Sequence, residues 1–250
     1  MKKSAFKTEK TIGSLLITGA IAVLIPYTML TSIFEYPDIL RQDTGVVLTK
    51  FHEGGNGLIW TWFAFAITGL PLLPAYILIG QQLETKAPLV RIATNIGMVG
   101  LIVQMIGLLR WTFVVPVLAD SFVNAPDEAT QVAIKTTFKV IHQFGGVILG
   151  EYLGQFFTII WTVLMTWSFS QTKLFPKWVH GLGYLSSLIY LMAQAELFAT
   201  VMPQFPVWEL AGLIGSTLWL VWLVVVGVML LRQKDQQTPS DTDIVLPAMG

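Results

Sequence analysis

The chain has no cysteine and few charged residues. Its 250 residues include 15 Lys and Arg and 15 Asp and Glu, so 12% are charged and the formal net charge is zero. Soluble domains usually carry about 25% charged residues. The lack of cysteine excludes disulfides, thiolate metal sites and cysteine nucleophiles. The shortage of charge argues against a soluble enzyme, and the zero net charge argues against a nucleic-acid binder with a basic face.

Apolar side chains take the place of the missing charges. They make up 54% of the chain, and the mean hydropathy is +0.67. A membrane-spanning helix needs about 20 mainly apolar residues. Six stretches meet this requirement and predict an all-α polytopic integral membrane protein with a six-transmembrane-helix bundle. The predicted spans are residues 11–34, 57–83, 92–119, 140–170, 178–202 and 209–231.

Lys and Arg are divided unevenly between the two sides of the predicted bundle. Ten lie on one side and four on the other, and Arg110 lies inside the third span. Because cytoplasmic loops carry the excess of Lys and Arg, both termini are predicted to be cytoplasmic. We expect residues 1–232 to form one six-helix transmembrane domain, followed by a disordered cytoplasmic tail, 233–250. The outer loop 35–56 is predicted to contain an interfacial helix, and the outer loop 120–139 a helical lead-in to span four.

A polar cluster inside the predicted spans is the first candidate for a site. A charge at the bilayer centre costs about 2.5–3.5 kcal/mol even on insertion scales, so such residues are hypotheses about function. Arg110, Glu151 and Glu196 fall in or near the outer half, and Gln155 shares a helical stripe with Glu151. Either carboxylate could neutralise Arg110. The cluster is either functional or an ion pair that fixes helix packing.

The fourth span also carries a histidine and a row of glycines. On a straight α-helix His142 lies about 180° around and roughly 13.5 Å along the axis from Glu151. His142 therefore falls near the face of Gly146 and Gly150, away from Glu151. Close helix packing is the commoner use of such glycines in membranes. The alternative is a flat cofactor lying against them, with His142 as axial ligand.

Two histidines are predicted near the outer face, His52 before the second span and His142 at the start of the fourth. Together they could ligate the iron of one b-type haem, with Arg110 or Lys139 near its propionates. A quinone is the second candidate ligand, and either would make the protein a redox component in electron transfer. The lack of a spacing motif leaves this interpretation dependent on three-dimensional proximity.

Three other functions stay open on sequence alone. They are a proton-coupled small-molecule transporter using the buried Glu/Arg cluster, a membrane enzyme acting on a lipid or quinone, and a structural or accessory subunit. The residues do not decide whether the protein is an enzyme. Expected partners are the lipid bilayer, a lipophilic small molecule or quinone, and a second copy of the chain or a membrane-complex subunit. No nucleic acid is expected.

Several short phrases stand out between about residues 90 and 232. They are Leu108-Leu-Arg-Trp, Val114-Val-Pro-Val-Leu-Ala, His142-Gln-Phe-Gly-Gly, Gly150-Glu-Tyr-Leu-Gly-Gln, Phe175-Pro-Lys-Trp, Gly181-Leu-Gly-Tyr, Leu218-Trp-Leu and Gly227-Val-Met-Leu-Leu-Arg. These phrases are similar to those of a multi-pass bacterial inner-membrane family described as a domain of unknown function. The resemblance implies the membrane fold and the bacterial cytoplasmic (inner) membrane, and it carries over no catalytic residue.

Overall fold

The computed structural model describes residues 2–233, with side chains described from Thr8 onward. The described residues are helical nearly throughout and contain no strand. Apart from Gln233, the predicted tail 233–250 lies outside them. In chain order the helices are α1 (Lys2–Ala22), α2 (Leu24–Phe34), a 3₁₀ turn (Asp38–Arg41), α3 (Thr44–Ile67), α4 (Leu72–Leu83), α5 (Val90–Phe113), α6 (Val115–Val123), α7 (Glu128–Ile141), a π-helix (His142–Leu153), α8 (Gly154–Thr172), α9 (Lys177–Ala199) and α10 (Ala211–Arg232).

These helices combine into six runs that are long and apolar enough to cross a membrane, which confirms the predicted six-span all-α fold. The second and fourth spans have 40 and 45 residues, about twice what a bilayer requires. The residues of these spans beyond the length needed to cross a bilayer include a structured connection at one end of the bundle. The spans are Thr8–Phe34, Thr44–Leu83, Val90–Val123, Glu128–Thr172, Lys177–Ala199 and Ala211–Arg232.

Proline explains where three of the spans divide into two helices. A proline lacks the N–H that would bond the carbonyl four residues earlier. The carbonyl that loses its partner belongs to the last residue of α1 for Pro26 and to the last residue of α3 for Pro71. For Pro116 it belongs to the last residue but one of α5. Inside α3 the break is at Gly55, whose φ of 52° and ψ of −150° are non-helical. Glycine tolerates this positive φ because it has no Cβ.

The spans form a closed ring. In chain order each packs on the next, and α1 of the first span packs on α10 of the sixth. Backbones approach closely at this closure, since a Cβ added to Gly13 would lie 2.6 Å from the Gly227 carbonyl oxygen. Such small-residue contacts are the usual means of close helix packing in membranes.

Two separate clusters of buried apolar side chains lie at opposite ends of the helical bundle. We call the end that holds the 3₁₀ turn and the start of α7 the acidic end, and the end that holds Lys177 and Arg232 the basic end. The acidic-end cluster centres on Trp62 and Trp111, whose stacked rings are 4.6 Å apart at 11°. The basic-end cluster includes Trp222, whose Nε1 donates to the Val179 carbonyl at 3.1 Å.

Helix caps and ion pairs order the connections at the acidic end. Asp43 caps α3 by accepting from the Gly45 amide at 2.8 Å, and Lys135 of α7 pairs with the same carboxylate at 2.8 Å. The hydrogen bonds from Lys135 and from Gly45 hold the pKa of Asp43 below its usual 3.8. Asp127 caps α7 through the Thr130 amide at 2.7 Å. The predicted lead-in helix of the fourth span is therefore α7, and the loop 35–56 contains the 3₁₀ turn and the first turns of α3.

Candidate functional site

The buried cluster at the acidic end is organised around Arg110, near the end of α5. Only 8% of its surface is exposed. Its guanidinium donates to the Gly107 carbonyl, and its Nη2 lies 3.5 Å from Nδ1 of His142. Its Cζ lies 5.3 Å from the centroid of the Trp111 ring. Nε is buried without a hydrogen-bond partner among the described residues.

No carboxylate of a described residue lies within 4.0 Å of the Arg110 guanidinium. Glu196, predicted as a neutralising partner, instead pairs with Arg41 of the 3₁₀ turn at 2.9 Å. Glu151 is near enough for its charge to act on Arg110, although it forms no ion pair with it. A buried charge with so little compensation is costly, so Arg110 must be held by the surrounding packing.

Glycine makes room for this guanidinium. A Cβ added to Gly146 would lie 2.5 Å from Nη2 and 2.9 Å from Cζ of Arg110. A Cβ on Gly107 of α5 would lie 2.6 Å from the Gly145 carbonyl oxygen and 2.6 Å from Cα of Gly150. The glycine face of the fourth span is therefore occupied by α5, as expected for close helix packing.

The π-helix changes the relation between His142 and Glu151. The sequence prediction assumed α-helical winding, which places the two on opposite sides, and this assumption is wrong for His142–Leu153. A π-helix has roughly 4.4 residues per turn because its hydrogen bonds span five residues. The separation of nine positions from His142 to Glu151 then makes about two full turns, which places both on one side of the helix. His142 Nδ1 accordingly lies 3.5 Å from Arg110 Nη2, and Glu151 lies on the same side of the helix without forming an ion pair with Arg110.

Aromatic rings enclose the histidine. The His142 ring stacks on Phe138 one turn earlier, with centroids 5.5 Å apart at 19°, and meets Trp111 edge-on at 6.0 Å. Tyr36 packs against Trp62 at 5.1 Å, and its hydroxyl is near enough to interact with the charges of Glu151 and Arg110. Removal from water raises the pKa of Tyr36, and Glu151 raises it further. The phenol therefore stays protonated.

A cavity of about 310 Å³ opens beside His142. The 3₁₀ turn and the start of α3 form one side, and the junction of α7 with the π-helix forms the other. Apolar walls and hydrogen-bonding side chains both contribute, as in small-molecule sites of about 300–1,000 Å³. It is lined by Leu40, Gln42, Thr44, Val47, Phe138, Lys139, His142 and Gln143.

The remaining predicted site residues are separated from this cavity. His52 is exposed on α3, and the His142 ring contacts Phe138, Trp111 and Arg110 instead. Phe51, the neighbour of His52, is buried and stacks on Trp111 at 5.7 Å. Gln155 accepts from the Gln194 amide of α9 at 2.9 Å, which links two helices. Among the described residues no group of three His, Asp or Glu is arranged to hold a metal ion.

Sequence reasoning named Lys139 as a residue near the haem propionates, and Lys139 lines the cavity beside His142. Other members of the site were missed. Tyr36 and Gln42 carried no comparable signal, because they come from a connection whose fold brings them to the fourth span. The donor-rich lining of the cavity was therefore not apparent from the sequence.

The fold and the enclosed Arg110–His142 pair define a six-span helical membrane protein with a polar site at one end. The model of the family described as "Domain of unknown function (DUF4386)" matches residues 11–227. The chain belongs to this family, and the match extends the resemblance to the first two spans. No curated protein and no solved structure matches the chain.

Proposed function

We propose that the protein binds a lipophilic small molecule with a hydrogen-bond-accepting head group, best represented by a quinone, in the cavity beside His142. The observation that carries the proposal is the contact of buried Arg110 with half-buried His142, which lines this cavity. Leu40, Val47 and Phe138 supply apolar walls, while Lys139 and the amide side chains supply donors. A quinone ring with two carbonyl acceptors suits such a lining.

The protonation of His142 favours an acceptor head group. Arginine has only donors, so the ring nitrogen Nδ1 that lies 3.5 Å from Arg110 must be unprotonated to accept. The proton of the neutral ring then sits on Nε2. Nε2 has no hydrogen-bond partner among the described residues, and it is not shielded from the surroundings by other atoms. It is therefore accessible as a donor to a carbonyl oxygen.

The same arrangement ranks a haem below a quinone. An iron ligand must present an unprotonated nitrogen, and Arg110 already faces the one on His142. The second ligand in that hypothesis, His52, is exposed on α3 without contact to His142. Haem b nevertheless has a simple test, because a haem protein purified after expression with haem supply shows a Soret band. A colourless preparation rules the haem out.

A titration with a short-chain benzoquinone tests the quinone proposal directly. Quenching of tryptophan fluorescence is a suitable readout, because Trp111 lies 6.0 Å from the His142 ring. We expect saturable quenching in detergent solution, and about fivefold weaker binding for His142→Gln, the effect of one hydrogen bond of about 1 kcal/mol. His52→Gln is the matched control and should bind like the wild type. Linear, non-saturating quenching in all three proteins contradicts the proposal.

A redox component of the bacterial cytoplasmic membrane is the cellular setting we propose. The family resemblance and the excess of Lys and Arg on the side of the termini support this setting and orientation. The cavity would then open toward the outer leaflet, where the tail of a quinone can remain in the bilayer. Accessibility labelling of single cysteines at each end of the cysteine-free chain tests the orientation.

The position of Glu151 favours a proton-coupled transporter as the second candidate. Its carboxyl lies on the π-helix within reach of the charges of Arg110 and Glu196, and π-helices occur frequently at functional sites. Such a transporter predicts that Glu151→Gln abolishes substrate flux in proteoliposomes without loss of folded protein. If the same variant binds quinone as well as the wild type, loss of flux supports the transporter without bearing on quinone binding.

A further inference from the structure

A second concave surface lies at the basic end, on the outside of the junction between α9 and α10. It is a groove of about 490 Å³, larger than the cavity beside His142. Four apolar side chains of α10 line it at positions that share one helix face, and Trp178 of α9 forms its other wall. The lining residues are Trp178, Val224, Val225, Val228, Met229, Arg232 and Gln233.

The groove has a polar end and an apolar length. From Val224 to Arg232 it extends along nine residues of α10, a rise of about 12 Å. Its apolar residues are only half-buried, so a hydrocarbon chain can lie against them. Arg232 and Gln233 stand at the helix end, where the bilayer meets water, and Trp178 lies beside them. Tryptophan prefers this interfacial depth.

The one charged side chain that lines the groove, Arg232, is complementary to an anion. Arg232 is exposed and has no carboxylate partner within 4.0 Å among the described residues. No acidic residue lines the groove itself, although the Glu9 carboxylate of α1 accepts from the amide of Gln233 at 2.9 Å. Lys177 directly precedes Trp178. A guanidinium presents a planar fork of donors that matches a phosphate group. Anionic lipids of the cytoplasmic leaflet attract basic residues at that surface.

We infer that this groove is a binding site for an anionic phospholipid, with the phosphate on Arg232 and one acyl chain along Val224–Met229. The inference is independent of the cavity beside His142. The site differs from general lipid contact because it combines a concave apolar surface with a cation at its interfacial end. It accounts for a basic side chain without a described acidic partner beside an apolar groove.

Lipid retention provides the test. The full chain is reconstituted in nanodiscs of equal parts phosphatidylcholine and phosphatidylglycerol, released into detergent, and examined by native mass spectrometry. We expect the wild type to retain phosphatidylglycerol in preference to phosphatidylcholine. Arg232→Gln should lower that preference about fivefold, since one basic residue at an anionic surface contributes about that factor. Arg232→Lys should restore most of it.

The control separates this site from the general charge of the basic end. Arg91 of α5 lies at the same end on the third span, across the ring from α10, and pairs with Glu84. Arg91→Gln removes the same charge and should leave lipid preference unchanged. Val228→Phe fills the groove and should reduce retention of both lipids in protein that still elutes as folded. Equal effects of Arg91→Gln and Arg232→Gln, or no effect of Arg232→Gln, overturn the inference.

Discussion

The guanidinium of Arg110 lies against the bare backbone of Gly146, so closely that an added Cβ would stand 2.5 Å from Nη2. One helix thus contributes a charge and the next contributes the space that the charge occupies. The aromatic rings around His142 close the remaining sides. This contact connects helix packing at the acidic end with the chemistry of the cavity.

Gly146→Ala is expected to destabilise the protein. The new methyl group meets the guanidinium, which is enclosed and can move little, and overpacking of this kind typically costs about 1–3 kcal/mol. Gly181→Ala on α9 is the matched control, because nothing lies within 4 Å of its added Cβ. Thermal unfolding in one detergent compares the two. Equal melting temperatures for the two variants would show that Arg110 moves aside freely.

Arg110→Met should leave stability unchanged or raise it. The guanidinium is buried without a close carboxylate, and replacing poorly compensated buried charge by an apolar side chain of similar length is often neutral or stabilising. A clear fall in melting temperature would show instead that the hydrogen bonds to Gly107 and His142 outweigh the cost of burial. Helical circular dichroism during heating provides the measurement.

Arg110 and His142 should act as one unit in ligand binding. If Arg110 acts by fixing the protonation of His142, the losses of quinone affinity in Arg110→Met and His142→Gln are not additive. We expect the double variant to bind about as weakly as the weaker single variant. Full additivity in the fluorescence titration would indicate that Arg110 acts on the ligand without His142. This prediction rests on the proposed function, whereas the stability prediction does not.

Low pH should lower the stability of the acidic end, because Asp43 becomes protonated. Its pKa is lowered in the folded protein by Lys135 and by the Gly45 amide. The carboxylate therefore contributes stability that is fully present above the unfolded value of 3.8 and is lost as the pH falls through the lower folded value. Asp43→Asn keeps a helix-capping side chain and removes the titration. Its melting temperature should fall less steeply than that of the wild type below about pH 4.

The six spans could be predicted from the sequence because length and hydropathy decide membrane crossing. The relation of His142 to Glu151 could not, since it depends on winding, and the periodicity used for the prediction is that of an α-helix. The ion-pair partner of Glu196 could not be predicted from the sequence either. Arg41 is 155 residues away in sequence and is brought to α9 only by closure of the helical ring.

The residue types of the site were partly visible beforehand. Arg110 and His142 stood out as polar groups in apolar stretches, and the structure joins them. Gly146 and Gly150 were recognised as a packing face, but their partner helix was not. The cavity depends on the connection containing Gln42 and Leu40, and no periodic pattern in that connection indicated which helix it would contact.

The two buried clusters share no residue, and among the described helices only α5 contributes to both. Side chains around the cavity can therefore be exchanged without repacking the residues that hold α1, α8, α9 and α10 together. If the cavity binds the proposed ligand, such a division allows its lining to diverge within the family while the membrane scaffold stays the same. Exchanging the acidic-end residues between two family members should accordingly transfer ligand preference along with them.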